Sequence, residues 1–481
     1  MANYRVTQGR TSLLEEEKEI PIVRNYDAIV AGGGSAGIGA AVAAGRLGAK
    51  TLLIERNSSL GGMSTGAMIP HFGAPSDSLS GYLKEVVDEL LTLRAAQTGP
   101  FVPYDLEALK SIYLRDVLRA GADVLFYTWV VDAIVDGNQV EGVIVENKSG
   151  RQAILARVVI DATGDGDVAA FAGAKFQKGR PDGVMRPVTL IFRMGNVDMD
   201  KLSKYALAHP GQFMSDLTMS FAIPSEGKLR LAGFYDLVKT ARERGELDPN
   251  CHYLRVESGD FEKKTVLVNT VRVYGIDGTN AWDLARAEIE ARRQMELLVH
   301  FMKRDVPGFE NAFLLESAPL IGVRETRHIT GEYILTLHDI LTGRHFDDVI
   351  VYTCAHLPKG KEMHSPDARE GADDDNVNRG ETWPRVCHEI PYRSLVVKDV
   401  GNLLVAGRCI SATHEADRHT RNTPPCVMMG QAAGTAAALA SKHDVPPAHV
   451  NISLLQAGLQ NQGVNLGRSI SNVQAEPAAS A

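Results

Sequence analysis

Three stretches of the chain gather side chains that can move protons and hold anions. Thr413-His414-Glu415-Ala416-Asp417-Arg418-His419-Thr420-Arg421 is the densest in titratable groups. Cys387-His388-Glu389-Ile390-Pro391-Tyr392-Arg393 brings an imidazole, a phenol and a guanidinium together, and Gly322-Val323-Arg324-Glu325-Thr326-Arg327 adds two more guanidinium groups. Imidazole titrates near neutral pH and passes protons in either direction. Guanidinium forks bind carboxylates through paired hydrogen bonds. The candidate catalytic residues are therefore His414, Arg418, His388, Tyr392 and Arg324. Plainer roles stand beside these: an Arg324–Glu325 ion pair, packing or capping by His388 and Tyr392, and a solvated loop over 413–421. His71, in Ile69-Pro70-His71-Phe72-Gly73, could face a bound group or simply pack. His345 with Asp347 and Asp348 lacks a firm ligand spacing, so no metal site is expected.

Such side chains need a scaffold, and residues 26 to 55 supply its signature. Asp27 to Ala31 is an apolar run ending in glycines, which reads as a buried parallel strand. Gly32, Gly34 and Gly37 have the G-x-G-x-x-G spacing. The first glycine permits a tight turn, the second lets backbone approach a pyrophosphate, and the third seats the next helix close to the strand. That helix starts at about Ser35 and points its free N–H groups at an anion. A second strand, Thr51 to Ile54, ends at Glu55, which lies 21 residues after Gly34. An acid there hydrogen-bonds a ribose hydroxyl, so the spacing predicts FAD or NAD rather than NADP.

The chain has 481 residues, long enough for two or three domains, with 44% hydrophobic and 23% charged residues. A net charge of −8 argues against nonspecific nucleic-acid binding. No apolar stretch approaches the roughly 18 residues that span a bilayer, and no signal peptide is visible. The five cysteines are scattered, without a C-x-x-C pair. They predict reduced thiols, and with them a cytoplasmic protein. The sequence leaves open a homo-oligomer and the identity of the electron acceptor.

In chain order, residues 1–24 read as a polar arm and 25–186 as the first part of a nucleotide-binding domain. Within that part, 81–96 and 104–120 have helical periodicity. The runs 123–131, 139–146 and 153–160 read as strands, joined by turns at Asp136-Gly137-Asn138 and Lys148-Ser149-Gly150. This predicts an antiparallel meander inserted in a parallel sheet. Residues 187–390 change composition and read as a substrate or cap domain. It contains a helix over 283–304 with Ile289, Met295, Leu298 and Phe301 on its apolar side. The polar stretch 357–382 reads as a lid. Residues 391–445 return to the nucleotide domain, with a strand over 402–408 and a thin helix opening at about Met428. Residues 446–481 form a C-terminal segment and tail.

Four features stand in order: the Gly32–Gly37 fingerprint with Glu55, the Gly61-Gly62-Met63 loop, the Ala162-Thr163-Gly164 strand end, and Gly407-Arg408 followed by Gly430-Gln431-Ala432-Ala433-Gly434. Together they resemble FAD-dependent oxidoreductases of the glutathione-reductase-type Rossmann superfamily. The nearest resemblance is to the "xanthan-lyase-like" FAD oxidoreductases, distant relatives of fumarate reductase and succinate dehydrogenase flavoproteins. Ile321 to Arg327, Ile390 to Leu395 and Gly407 to His414 match that family's pattern.

The resemblance implies an α/β fold, with a Rossmann FAD-binding domain and an inserted α+β substrate or cap domain. It implies that Gly32, Gly34, Ser35, Ala36 and Gly37 hold the FAD pyrophosphate, and that Glu55, with Arg56 beside it, binds the adenosine ribose. Gly62 and Met63 would pass near the pyrophosphate and ring, Val131 near the adenine, and Ala162 and Gly164 near the cofactor. Gly407, Arg408, Met429 and Gln431 would lie by the ribityl chain or the ring. A helix N-terminus at Gly430 would stabilise negative charge on the reduced flavin. The expected activity is hydride transfer between flavin N5 and a small polar or anionic substrate, with FAD held non-covalently. The alternative is a flavoprotein using FAD for non-redox chemistry, as a hydratase or isomerase. No second glycine fingerprint occurs over 150–340 and there is no C-x-x-x-x-C pair, which argues against a disulfide reductase.

Overall fold

The computed structural model describes residues 19–99, 101–214, 221–355 and 386–467. The predicted lid over 357–382 lies outside the described residues. The nucleotide-binding unit is built on a seven-stranded sheet. Ile22–Ala31 pairs in parallel with Thr51–Ile54 on one side and with Gly150–Asp161 on the other. Asp123–Leu125 extends the sheet beyond Thr51–Ile54. The strand Gly150–Asp161 serves two partners along its free edge. Its first half carries the antiparallel meander Trp129–Asp136 and Gln139–Asn147. Its second half pairs in parallel with Leu403–Val405, which arrives from the far end of the chain. Ala28, Ile29, Val30 and Ala31 are fully buried because both faces of this sheet are covered.

Two thin helices cover one region of that sheet. Ser35–Arg46 and Thr423–His443 are rich in alanine and glycine and lie in close contact. A Cβ at Gly430 or Gly434 would collide with the carbonyls of Ala36 and Ala40. These glycines serve helix packing, and the second helix starts at Thr423 rather than near Met428.

A six-stranded sheet lies between residues 192 and 317. Its order runs Phe221–Ile223, Lys228–Gly233, Leu254–Asp260, Thr265–Val268, Phe192–Gly195, Phe313–Ser317, with every pairing antiparallel. The helix Ala281–Asp305 belongs to the same region of the chain. Met295, Leu298 and Phe301 are buried as expected, but Ile289 is 73% exposed. At about 100° per residue Ile289 lies opposite Leu298, and Ala287 and Ala291 fill the buried face instead.

The expectation of reduced thiols throughout is corrected: Cys354 and Cys387 form a disulfide. They face one another across the antiparallel strands Val349–Ala355 and Val386–Pro391. The bond joins positions 33 residues apart, a pairing that only strand register reveals. Cys251, Cys409 and Cys426 are free and buried.

Candidate active site

A cleft opens where the carboxyl ends of the parallel strands meet the six-stranded sheet, the usual ligand position in such folds. On its nucleotide side Gly32 has φ +99°, a conformation that favours glycine, and a Cβ there would strike Ala162. A Cβ on Gly34 would meet nothing within 4 Å, because it would point into the cleft. Gly37 does not line the cleft; a side chain there would collide with Gly32. Ser35, Ala36, Arg56, Gly62, Met63, Ala162, Gly164, Gly407 and Arg408 all line it. Thr163, between two of them, lines it too.

Glu55 is 5% exposed and borders the same space. Its Oε2 accepts from Gly33 N at 2.7 Å, and its Oε1 accepts from Asn57 N at 2.8 Å. Oε1 also accepts from Asn57 Nδ2 at 2.6 Å, so Oε2 is the oxygen that keeps a further acceptor site. Ser35–Arg46 has Gly34 as its N-cap, and no side chain caps it. Its first N–H groups are therefore open to an anion. These features fit a dinucleotide: a bare glycine at the pyrophosphate position, an uncapped helix start and a ribose acid.

Several expected cofactor contacts fall elsewhere. Met429 and Gln431 are buried and do not line the cleft, and Gly430 packs on Ala36. Gln431 Oε1 accepts from Tyr82 N at 3.0 Å, and its Nε2 donates to Gln462 Oε1 at 3.0 Å. The helix end at the cleft is made by Asn422 and Thr423, and Pro424 and Pro425 remove two of its free donors. Val131 is also displaced. The pairing steps from Val130–Val145 to Asp132–Ile144, so Val131 is the extra residue of a β-bulge and Val130 lines the cleft. Arg408 lines the cleft, but its Nη2 is bound to Asp165 Oδ1 at 2.8 Å.

The catalytic candidates divide in the same way. Thr413 caps a short helix, His414–Thr420, by accepting from Ala416 N. Arg418 and His419 reach the cleft, as does Arg421 just beyond the helix. His414 turns inward, and its Nδ1 lies 2.6 Å from Glu325 Oε1. Glu325 is buried. It also accepts from His328 Nε2 at 2.8 Å and from Arg186 N at 3.0 Å. Burial alone would raise the Glu325 carboxyl, but the two histidine hydrogen bonds hold it well below the usual carboxylate range. Glu325 is thus engaged with two histidines and, at 3.8 Å, with the Arg186 guanidinium, so the alternative of an Arg324–Glu325 ion pair falls away.

His388 and Tyr392 lie away from the cleft. Tyr392 donates to Pro447 O at 2.8 Å, and burial raises its phenol. His388 has no hydrogen-bond partner on either ring nitrogen among the described residues, and burial pushes it down to about 4. Its ring sits 6.5 Å from that of His419. His345 Nδ1 approaches Glu389 at 2.7 Å and Asp348 pairs with Arg393 at 2.9 Å, so these groups serve ion pairs and hydrogen bonds.

The wall facing the glycines is cationic. Arg324 lines it and is 8% exposed. Its Nη1 donates to Pro187 O at 2.5 Å, and no carboxylate pairs with it among the described residues. Burial lowers its pKa well below the ordinary value, and the nearby charges of Arg272 and Arg421 add to this. Two further arginines were not singled out by the sequence: Arg230, on the strand Lys228–Gly233, and Arg255, on Leu254–Asp260. Both pair with the buried Glu257, at 2.8 and 2.7 Å. Burial would raise Glu257, but Arg255 and Arg230 hold it well below its usual range.

His71 joins this group. Its Nε2 lies 3.4 Å from Glu257 Oε1, and its Nδ1 has no partner among the described residues. Burial, then the charge of Arg230, lowers its pKa. Both effects favour the neutral ring, in which the Glu257 contact is a hydrogen bond rather than an ion pair. An ionised carboxylate only accepts, which places the proton on Nε2 and leaves Nδ1 as an acceptor.

The chain is similar to several solved proteins. A geranylgeranyl bacteriochlorophyll reductase-like protein from Thermoplasma acidophilum is 13% identical, with a TM-score of 0.43 over 91% of this chain and 83% of that one. The flavin-dependent brominase Bmp2 is 11% identical, with a TM-score of 0.46 over 91% and 83%. A p-nitrophenol 4-monooxygenase from Pseudomonas putida is 12% identical, with a TM-score of 0.41 over 92% and 81%. No helix among the described residues is long and apolar enough to cross a membrane. The family model described as FAD dependent oxidoreductase matches residues 27–459. The chain is thus an enzyme of the FAD dependent oxidoreductase family, with FAD as its cofactor.

Proposed function

We propose that the enzyme transfers hydride between flavin and a small organic anion, most simply a carboxylate, bound against the cationic wall. The observation that carries this reading is Arg324, a buried guanidinium in the cleft wall with no carboxylate partner among the described residues. A buried charge without a counter-charge is strongly unfavourable, and an anionic ligand supplies the counter-charge. Gly32, Gly34, Ser35, Glu55, Gly62 and Met63 would hold FAD, which supplies a hydride-accepting or hydride-donating N5 when bound.

Arg324 and Arg421 would grip the carboxylate in paired hydrogen bonds and fix its orientation. His71 would take or give the proton at Nδ1, while Glu257 holds its tautomer through Nε2. Arg230 and Arg255 keep Glu257 ionised, so the histidine stays oriented through the cycle. The stretch 187–390, which supplies Arg230, Arg255 and Arg324, would act as the substrate-bearing part of the chain.

The test is anaerobic addition of carboxylates, alcohols and amines to the FAD-loaded protein, followed at the flavin absorbance. Bleaching by a carboxylate-bearing donor, lost in His71→Asn and weakened in Arg324→Met, is the expected result. Bleaching by neutral donors alone, indifferent to Arg324, would overturn the anion assignment.

A further inference from the structure

Beyond the cleft lies a second cavity of about 1190 Å³. The two spaces share His71, Phe101, Met214 and Arg230. Phe101 is the centre of this shared wall. The Arg230 guanidinium lies 4.0 Å from its ring centroid, and the His71 ring 4.7 Å from it. On the cleft side the lining is charged, with Arg255, Arg324 and Arg421. On the far side Leu207, Phe213, Phe221, Ala222, Leu229 and Phe261 form an apolar stretch, and charged side chains such as Arg193, Asp260 and Lys263 line the cavity beside it.

We infer that this cavity takes the apolar body of the substrate whose anionic head lies on the arginines. The preferred substrate is then an amphipathic carboxylate rather than a short polar acid. The inference rests on the reading of the cleft as an anion site and extends it. Three observations support one continuous occupant. First, the two spaces have four lining residues in common. Second, Phe101 lies between the cleft arginines and the apolar stretch, and its ring, which already stacks on a guanidinium, can offer its remaining edge to a hydrocarbon chain. Third, a largely apolar cavity of this size beside a few placed polar groups is the usual form of a small-molecule site. Arg230 and His71 stand where the head meets the body, so the reacting carbon would lie near the carboxylate end.

The experiment is isothermal titration of the full-length, FAD-loaded protein with straight-chain carboxylates from acetate to decanoate. Affinity is expected to rise about fourfold per added methylene once the chain passes Phe101, the scale of burying a methylene. Ala222→Trp, which fills the apolar cavity, should flatten this rise and leave acetate and propionate unchanged. Leu207→Asp provides a second variant at a position that is 63% exposed, so the fold tolerates it. It should weaken decanoate binding and spare acetate. A series that is flat in chain length, yet weakened throughout by Arg324→Met, would overturn the role of the second cavity and leave the anion cleft standing. No binding by any member would overturn both.

Discussion

His414 Nδ1 and His328 Nε2 converge on a single oxygen of Glu325, at 2.6 and 2.8 Å. This buried cluster ties the helix His414–Thr420 to the strand Arg327–Ile329 behind the cleft. It gives the enzyme a pH-dependent brace. Burial would lower His328, but the Glu325 hydrogen bond and the charge of Asp417 raise it above its ordinary value. Between the unfolded and folded pKa values the native state therefore binds more protons than the unfolded state. Its contribution to stability is complete below about pH 6.5 and is lost as pH rises through the raised folded value. The gap in Tm between the wild type and His328→Asn should be widest near pH ~6 and shrink toward pH ~9. A gap that widens with pH would contradict this assignment.

Arg324 sets binding against stability. Arg324→Met removes a buried cation that no carboxylate partners among the described residues. Apolar replacement of buried charge is neutral or stabilising by ~1–4 kcal/mol. The ligand-free variant should melt at a higher temperature than the wild type. Its carboxylate affinity should fall by about 30-fold, the cost of removing one partner from a buried charge pair. Thermal melts and titration on one preparation read both effects.

Two glycines should respond in opposite ways to the same added methyl group. Gly34→Ala meets open space in the free protein, so its Tm should hold. Its FAD affinity should drop about tenfold, as expected of a ~1–3 kcal/mol clash with the cofactor. Gly430→Ala drives a Cβ into the Ala36 carbonyl inside a packed helix pair. It should lower Tm by several degrees or abolish folding. Flavin content per folded molecule separates the two cases.

The disulfide closes a loop between Cys354 and Cys387. Chain-entropy arguments assign a cross-link of this span ~4 kcal/mol. Reduction, or the double variant Cys354→Ser/Cys387→Ser, should lower the unfolding midpoint accordingly. Intact-mass analysis before and after reduction reports the bond directly.

The nucleotide half was legible because its chemistry is local. The turn at Gly32, the bare approach at Gly34 and the acid at Glu55 are each set by a few neighbouring residues. The meander's turns were legible from their residues, but the single strand expected over 123–131 breaks into Asp123–Leu125, parallel to Thr51–Ile54, and Trp129–Asp136, which starts the meander. What failed depended on longer-range geometry. Gly430 carries the composition of a helix start, but Thr423, two prolines and tight packing on Ala36 place that start seven residues earlier. Val131 slipped because a bulge leaves no mark in a run of valines. His414 and His419 are five residues apart on one short helix, and helical rotation sends one inward and the other to the cleft. Arg230 and Arg255 sit in ordinary strand sequences, and only sheet register brings both onto Glu257. The same holds for the cross-strand disulfide.

The strand Leu403–Val405 and the helix Thr423–His443 also govern the order of events during biosynthesis. The ribosome releases the glycine fingerprint well before either of them. The strand that completes its sheet and the helix that covers it are made some 370 residues later. Until they emerge, the apolar surfaces of Ser35–Arg46 and Gly150–Asp161 have no cover, and the cofactor has no closed site. A chain shortened before residue 402 is therefore expected to bind no flavin. Nascent chains interrupted anywhere before residue 443 expose the same unfinished surface, a common feature that chaperones and proteases can recognise.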